Sequence, residues 1–401
     1  MNSMSIPAHV PAHLVGEFPL VLGQVTDENP FDRIIPDIHK GPAAIYVRGG
    51  YLNMENAWVF RRAVDLQAVY SDNEHFSVKD FAPFSKLLGD SWNLVPAEID
   101  QPDHGFFRLA LNPLFAPRRM AALEDSVRIY ARQYIDAFKQ QGHCEFINDF
   151  AFRFPIAVFL ELMGLPMSRV EEFLVWEKGL LHEPDIDKII AATRSVKNYL
   201  LEEIAERRNN PRDDLISYGL NAEINGRKWT DDELFGFCFN LFIGGMDTVS
   251  TTVALHFRHL AERPEHQNYL RENPDRIPQA VEELMRAYSP AMQARTCIKP
   301  VVIAGAQVMP GDKVIMTPMV ANRDPEAFEN ANDIILDRNP RHLNFGYGIH
   351  RCLGAPLARR EVIIAIEEFL KAIPQFRIAP DAKIITHLGG VIQPDSLPLV
   401  W

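Results

Sequence analysis

Apolar side chains recur along much of this chain at intervals of three and four residues, the spacing that places them on one face of an α-helix. The pattern predicts a mainly α protein whose clearest helices cover residues 118–140, 191–208, 230–260, 278–288 and 353–371. The longest segment begins with Thr230, Asp231, Asp232 and Glu233. This order is typical of a capping box, in which threonine and glutamate satisfy free amide groups of the first turn.

Shorter runs rich in β-branched and aromatic residues predict small antiparallel β-sheets beside the helices. Residues 43–47 and 51–54 flank Gly49 and Gly50, a pair suited to the positive φ angles of a tight hairpin. Further strands are predicted at residues 301–303 and 314–316, around the turn residues 310–312, and at residues 383–386.

Composition narrows the possible functions. The 401 residues include 53 acidic and 41 basic side chains, a formal net charge of −12, which argues against nucleic acid or an anionic membrane as a partner. Apolar residues make up 47% of the chain, enough for a large core. No secretory signal is visible, and the apolar stretch at 235–246 is shorter than the ~20 residues that a bilayer requires. We therefore expect a cytoplasmic protein.

Length alone is compatible with one or two domains. The 29 prolines punctuate the whole chain and never concentrate into a linker, and no internal repeat is present. We therefore predict a single domain over residues 1–401, with residues 1–15 forming a loosely ordered N-terminus.

The four cysteines, Cys144, Cys238, Cys297 and Cys352, lie far apart without a C-x-x-C pair, which argues against structural zinc. Cys352 differs from the others because it follows a glycine-containing loop and precedes a predicted helix. Unpaired amides and the helix dipole favour a thiolate at such a position, and glycines allow a flat group to approach the backbone. Cys352 is therefore a candidate nucleophile or metal ligand, and a flat group bound by one thiolate suggests haem. The alternative is an inert thiol.

A second unusual segment lies inside the longest predicted helix, where Gly244 and Gly245 precede Asp247 and Thr248. Adjacent glycines cost about 1 kcal/mol each relative to alanine, so a helix that keeps them needs space or a local distortion. The alternative is a close helix crossing in which Asp247 caps a turn.

The pattern Phe345-x-x-Gly348-x-His350-x-Cys352-x-Gly354 resembles the haem-binding loop of the cytochrome P450 family, and the likeness extends over nearly the whole chain. It is greatest to the soluble bacterial camphor-hydroxylase-like group. The resemblance implies a single-domain fold, mainly α with small antiparallel sheets, that holds haem b between the long central helix and the cysteine-loop helix. Cys352 would ligate the iron, and Phe345, Gly348 and Gly354 would shape the loop.

The resemblance also implies roles for residues elsewhere in the chain. Glu283 and Arg286, the only E-x-x-R, would form a buried structural pair. Thr248 would hydrogen-bond the bound dioxygen, and Asp247 would deliver protons. The haem propionates would be held by a set of basic side chains, each of which could instead be a surface charge: His104, Arg108, Arg295 and His350.

By position in the family, a set of residues would line the substrate pocket: Trp92, Leu241, Phe242, Gly245, Ala291 and Val391. Trp92 stands where the camphor enzyme has a tyrosine that binds the substrate ketone, and Gln293 replaces an aspartate. The resemblance therefore implies an apolar, terpenoid-sized substrate, and these two departures argue against camphor itself.

The implied activity is that of a haem-thiolate monooxygenase, which inserts one oxygen atom of O2 into a C–H bond. No G-x-G-x-x-G fingerprint for a flavin or dinucleotide is present, so electrons would come from a two-iron ferredoxin and its NAD(P)H-dependent reductase. The ferredoxin would dock on a basic patch: Arg108, Arg351, Arg359 and Arg360. The alternatives are a peroxygenase, which the Asp247–Thr248 pair disfavours, and a haem-binding sensor or carrier without turnover.

Overall fold

A computed structural model describes residues 5–21, 23–50, 55–183 and 185–401. These residues are mainly helical with short strands, as predicted. Their contacts divide the chain into two compact units. Unit 1 comprises the described residues up to Phe81, Thr251–Cys352 and Pro374–Trp401, and unit 2 comprises Ala82–Ser250 and Leu353–Ile373. The single domain over residues 1–401 stays a prediction.

The α-helices of the described residues are, in chain order, α1 (Pro30–Arg33), α2 (Ile35–Ile38), α3 (Ala63–Ser71), α4 (Phe84–Leu88), α5 (Asp103–Leu111), α6 (Pro117–Ala121), α7 (Glu124–Phe138), α8 (Arg153–Met163), α9 (Val170–Leu181), α10 (Ile186–Asn209), α11 (Leu215–Asn221), α12 (Asp231–Glu262), α13 (Pro264–Glu272), α14 (Ile277–Ala287), α15 (Pro318–Ala321) and α16 (Ala355–Ala372).

The strands are β1 (Val15–Gly16), β2 (Val25–Thr26), β3 (Ala44–Val47), β4 (Ala57–Phe60), β5 (Phe76–Ser77), β6 (His143–Glu145), β7 (Glu223–Ile224), β8 (Arg227–Lys228), β9 (Gln293–Cys297), β10 (Val301–Ile303), β11 (Ala306–Val308), β12 (Lys313–Met316), β13 (Arg377–Ile378), β14 (Thr386–His387), β15 (Gln393–Pro394) and β16 (Pro398–Val400).

Four of the five predicted helices are confirmed, as α10, α12, α14 and α16, with ends shifted by a few residues. The fifth prediction, residues 118–140, was wrong in one respect because the segment forms two helices, α6 and α7. Between them, the amide of Ala122 donates to the Arg119 carbonyl and that of Leu123 to the Met120 carbonyl. These three-residue hydrogen bonds tighten the chain and end α6, although the apolar spacing continues across the break.

The strand predictions hold in part. Residues 51–54 lie outside the described residues, and β3 pairs antiparallel with β4 instead. The strands predicted at 301–303 and 314–316 exist as β10 and β12, but β10 pairs with β11, whereas β12 pairs with β9 and β4. The strand predicted at 383–386 begins only at Thr386.

Unit 1 contains a six-stranded sheet in the order β1-β3-β4-β12-β9-β5. Its central strands bury Trp58, Phe60, Val314 and Met316 in one apolar cluster. The described part of the N-terminal stretch joins this sheet, because β1 pairs parallel with β3. The register of β12 places Val314 opposite Arg295, so the sheet fixes the position of one candidate haem-binding arginine.

Unit 2 is a helical assembly with an aromatic core. Phe150 and Phe154 of neighbouring helical turns stack with ring centroids 5.3 Å apart, and Phe369 of α16 lies 6.2 Å from Phe150. A further close approach occurs at Gly236 of α12, where an added Cβ would lie 2.0 Å from the Asn93 carbonyl oxygen. Only glycine allows the chain to pass this close to α12.

Helix α12 starts at the predicted capping box. The Thr230 amide donates to Glu233 Oε2 at 2.7 Å, and the Glu233 amide donates to Thr230 Oγ1 at 3.2 Å. The helix continues through Gly244 and Gly245 as regular α-helix to Glu262. Length and composition alone would also allow α12 to span a membrane, but 67% of its most apolar window is buried inside the protein, as in a core helix.

Candidate functional site

The loop before Cys352 is shaped by two glycines with positive φ. Gly346 has φ +67° and Gly348 has φ +70°, a conformation that side chains disfavour. A Cβ at Gly348 would also lie 2.6 Å from the carbonyl oxygen of Tyr70. The Cys352 amide closes the loop by donating to the Phe345 carbonyl at 2.8 Å. The backbone therefore holds Cys352 at a defined place, two residues before the helix N-cap Gly354.

The four cysteines, all within the described residues, fall into two classes. Cys144, Cys238 and Cys297 are buried, whereas Cys352 is exposed. Burial raises the pKa of Cys238 to about 12 and that of Cys297 to about 11, and it also raises the pKa of Cys144. Those three thiols stay protonated at neutral pH, so Cys352 is the one suited to bind a metal as thiolate.

A buried pair in unit 1 fits the carboxylates of haem. Arg295 is only 6% exposed, and its Cζ lies 5.5 Å from the ring centroid of Tyr70. The Tyr70 hydroxyl is buried without a hydrogen-bond partner among the described residues, and burial raises its pKa to about 12. A guanidinium beside a neutral phenol O–H is a donor set suited to a propionate. Tyr70 belongs to no motif, so sequence reasoning missed it.

Two more of the predicted propionate ligands lie on α5, one turn apart. His104 is buried, and burial together with the charge of Arg108 lowers its pKa to about 4. At neutral pH His104 therefore offers a neutral N–H, while Arg108, whose Nε donates to Asn112 Oδ1 at 2.9 Å, carries the charge. The last of the set, His350, ends the short 3₁₀ turn Gly348–His350 in the cysteine loop.

Phe345 lies at the other end of that loop, and its ring centroid is 5.9 Å from that of His342. The exposed thiol, the glycine-shaped loop and the buried donors of Tyr70 and Arg295 together fit a haem group.

Glu283 and Arg286 of α14 form the buried pair that the E-x-x-R spacing suggested. Both side chains are 0% exposed, and two hydrogen bonds of 2.8 Å join them. Arg338 also donates to Glu283 Oε1 at 3.1 Å. The pair therefore ties α14 to the segment that leads toward the cysteine loop.

Asp247 is buried on α12 and takes part in a cluster that sequence reasoning did not find. His182 Nε2 lies 3.0 Å from Asp247 Oδ1 and 3.0 Å from Glu177 Oε1. Thr248, the next residue, donates its hydroxyl to the Gly244 carbonyl at 3.0 Å. In the sequence, the one sign of this cluster is Glu177, an acidic residue at a position of α9 that is buried in the structure.

The residues predicted to line the substrate pocket divide into two groups. Phe242 is 0% exposed and packs against the rings of Phe159 and Phe173, so the structure places it in the core. Trp92 is also buried, and its indole N–H donates to Asp90 Oδ2 at 3.0 Å, which leaves no donor for a substrate. The other four residues are apolar and partly exposed: Leu241, Gly245, Ala291 and Val391.

The predicted docking arginines differ in their surroundings. Arg351 is exposed and Arg359 is partly exposed. Arg360 is paired, because its Nη1 lies 2.7 Å from Glu124 Oε2. A negatively charged partner would therefore have to compete with Glu124 for Arg360.

Comparisons with known proteins match this chain to one family. A family model described as "Cytochrome P450" matches residues 179–394. The chain is 38% identical over 402 residues to "Probable cytochrome P450 127A1" of Sinorhizobium fredii, which covers 99% of this chain and 97% of that protein. It is 35% identical over 340 residues to "Polyketide biosynthesis cytochrome P450 PksS" of Bacillus subtilis, covering 81% and 84%.

Solved structures give the same result. The crystal structure of cytochrome P450 CYP101C1 matches with a TM-score of 0.89 and 32% identity, over 99% of this chain and all of that one. The structure of CYP101J2 matches with a TM-score of 0.88 and 28% identity, over 99% of both chains.

Proposed function

Because this chain belongs to the cytochrome P450 family, and is therefore a monooxygenase with haem b as its cofactor, we propose that Cys352 is the thiolate ligand of the iron. The observation that carries this proposal is the contrast among the cysteines, of which only Cys352 is exposed. Haem, when bound, supplies the activation of O2 and the insertion of one oxygen atom into a C–H bond. The protein's own groups bind, orient and protonate.

The proposed roles of the other residues follow from their positions. Arg295 and Tyr70 would hold one propionate, and Arg108 and His104 would supply a charge and a neutral N–H. His350, Phe345, Gly348 and Gly354 would shape the loop around Cys352. Glu283 and Arg286 would keep that loop in place through their links to the preceding segment.

Two residues of α12 would serve the oxygen chemistry. Thr248 has a hydroxyl that can exchange its hydrogen bond with the Gly244 carbonyl for one to a bound ligand. Asp247 would pass protons toward it. This pair also disfavours a peroxygenase, which needs no delivered protons.

We propose a small, apolar, terpenoid-sized substrate. The support is the character of the four pocket positions that keep some exposed surface, Leu241, Gly245, Ala291 and Val391, which carry no charge or hydrogen-bonding side chain. Relatives named for a polyketide pathway and as a "Steroid C26-monooxygenase" define the competing classes. A panel of camphor, limonene, geraniol, testosterone and erythromycin would be screened for a substrate-induced spin-state shift. A response to the steroid or macrolide alone would contradict the proposal.

We also propose that a two-iron ferredoxin, with its NAD(P)H-dependent reductase, supplies electrons in the cytoplasm. The exposed Arg351 and the partly exposed Arg359 would attract an acidic partner, so the rate of reduction should fall with ionic strength. Turnover with hydrogen peroxide but not with ferredoxin would favour the peroxygenase, and no turnover with either would favour the sensor.

The decisive experiment for the thiolate is optical. The reduced carbon-monoxide complex of the wild-type protein should show the red-shifted Soret band of thiolate ligation, and Cys352→Ser should abolish it. Cys297→Ser is a matched control, because Cys297 is buried and its Sγ donates to the Lys299 carbonyl at 2.9 Å and lies 3.7 Å from the Val308 carbonyl, contacts that a serine hydroxyl can also make. A histidine-type spectrum in the wild-type protein would overturn the assignment.

The single domain over residues 1–401 is retained as a proposal, supported by matches that cover 99% of the chain. One cooperative calorimetric transition of the haem-loaded protein is the expected result. Two separate transitions would contradict it.

A further inference from the structure

Three titratable side chains of unit 2 form a hydrogen-bonded cluster in which only Asp247 has a role so far. Glu177 lies near the end of α9, His182 follows that helix directly, and Asp247 lies on α12. His182 Nε2 is 3.0 Å from an oxygen of each carboxylate, and these ligand atoms of the three side chains all lie within 4.8 Å of one another. The cluster is therefore continuous from Glu177 to the residue before Thr248.

The cluster reaches from the interior to the surface. The Glu177 and Asp247 side chains are 2% and 3% exposed, whereas the His182 side chain is 24% exposed. His182 can thus exchange protons with water, while the carboxyl groups cannot do so directly. The His182 ring also packs against the aromatic ring of Phe152, at a centroid distance of 6.2 Å.

The charged side chains near the cluster either form ion pairs with other residues or lie on an exposed face. Glu183, next to His182, pairs with Lys188 of α10 at 3.3 Å. On α8, Arg153 pairs with Glu171. Lys178, beside Glu177 in sequence, points to the exposed side of α9. The charges that act on the cluster are therefore mainly its own.

The net charge of this buried cluster indicates how many protons it holds. Two carboxylates and one imidazolium would leave a net charge of −1 in a buried site, which is unfavourable in a medium of low dielectric. Burial, together with the charge of Asp247 and against the hydrogen bond from His182, raises the pKa of Glu177 to about 7. Burial lowers the pKa of His182, but the hydrogen bonds to Asp247 and Glu177 outweigh it and raise that pKa to about 10.

We propose that Glu177 and His182 form a proton relay with Asp247, in which Glu177 stores the proton that Asp247 passes toward Thr248 during turnover. The inference rests on the proposed function, because only a reaction that consumes protons needs such a store. The transfer balances: the His182 Nε2–H bond breaks as Asp247 gains the proton, the Glu177 O–H proton replaces it on Nε2, and a proton taken up from solvent through the partly exposed His182 restores the acid form of Glu177. Glu177 and His182 act through Asp247 and are positioning residues.

The first test reads the cluster without turnover. Infrared difference spectra of the ferric, haem-loaded protein are recorded between pH 5 and pH 9. A protonated-carboxyl band should disappear with a midpoint near pH 7 in the wild-type protein and should be missing in Glu177→Gln. Glu183→Gln is the matched control, because it removes a neighbouring carboxylate outside the cluster and should leave the band unchanged. A band that survives in Glu177→Gln would overturn the proposal.

The second test measures turnover with the ferredoxin system and the panel compound that gives the largest spin-state shift. The wild-type kcat should fall as pH rises through about 7, since the proton on Glu177 is lost there. Glu177→Gln should lower kcat about tenfold, remove this limb of the pH profile and raise the solvent isotope effect. Glu177→Asp should restore part of the rate. A normal pH limb in Glu177→Gln would contradict the relay.

Different results would refute the proposed function and the proton relay. A wild-type protein without the red-shifted carbon-monoxide band would refute the proposed function, while the infrared titration would still show whether Glu177 carries the labile proton. A protein with that band but without the Glu177 titration would refute the relay alone. His182→Gln gives a further check, since it should slow reprotonation while leaving the haem spectrum unchanged.

Discussion

Arg286 donates two parallel hydrogen bonds to Glu283, from Nε to Oε2 and from Nη2 to Oε1, each 2.8 Å long. Its remaining Nη1 donates to the carbonyl oxygens of Asn322 and Ala331, also at 2.8 Å. The guanidinium therefore fills a fully buried site in which each hydrogen bond depends on its planar shape.

Arg286→Lys keeps the charge but cannot make these bonds, and it leaves Glu283 without its main partner. We expect the free energy of unfolding of the haem-loaded protein to fall by about 3–5 kcal/mol, measured by chemical denaturation. Arg276→Lys is the control, because Arg276 has a 51% exposed side chain, and it should change stability by less than about 0.5 kcal/mol. Equal effects would contradict the structural role.

Gly348→Ala should damage the cysteine loop more than its φ angle alone would explain. Gly348 and Gly226 have similar φ values of +70° and +76°, so alanine costs about 1–2 kcal/mol at either position. Only at Gly348 does the new Cβ meet backbone, the Tyr70 carbonyl oxygen at 2.6 Å. Gly348→Ala should therefore unfold at lower denaturant and lose haem faster than Gly226→Ala. Matching haem-loss rates would refute the close contact.

His182 should make stability depend on pH in the alkaline range. Its pKa is raised from 6.5 to about 10, so the folded state binds this proton more tightly than the unfolded state. The stabilisation is complete below about pH 6.5 and is lost as pH rises toward 10. The stability difference between the wild type and His182→Gln should thus shrink by about 4–5 kcal/mol across that window. The free energies of unfolding of both proteins would be measured by urea unfolding between pH 6 and pH 10. A difference between them that stays constant over this range would contradict the prediction.

Thr248→Ala should uncouple electron consumption from product formation. Ser250 makes the same local hydrogen bond, from its hydroxyl to the Met246 carbonyl at 2.9 Å, so Ser250→Ala controls for the loss of that bond. We expect product per NADH to fall about tenfold or more in Thr248→Ala and to stay near the wild-type value in Ser250→Ala. Similar coupling in both variants would show that Thr248 serves only the helix.

Local sequence signals predicted the elements well and the partners of individual side chains poorly. The capping box at Thr230 and Glu233 was confirmed, because each residue acts on the backbone of its own turn. The break between α6 and α7 was missed, because tight hydrogen bonds at Ala122 and Leu123 leave the apolar spacing intact. The packing of the Phe242 ring against Phe159 of α8 and Phe173 of α9 was also not foreseen, because it depends on segments far away in the chain.

The sequence by itself determined the helical class and the family, and it singled out Cys352 as the candidate iron ligand, since these depend on spacing along the chain and on motifs of neighbouring residues. Only the tertiary structure decided that Glu177 and His182 meet Asp247, and that Tyr70 lies beside Arg295. His182 and Asp247 are 65 residues apart in the chain, and the other two pairs are separated by more than that. Burial and hydrogen bonding between distant segments set their protonation, and neither has a signature in local spacing.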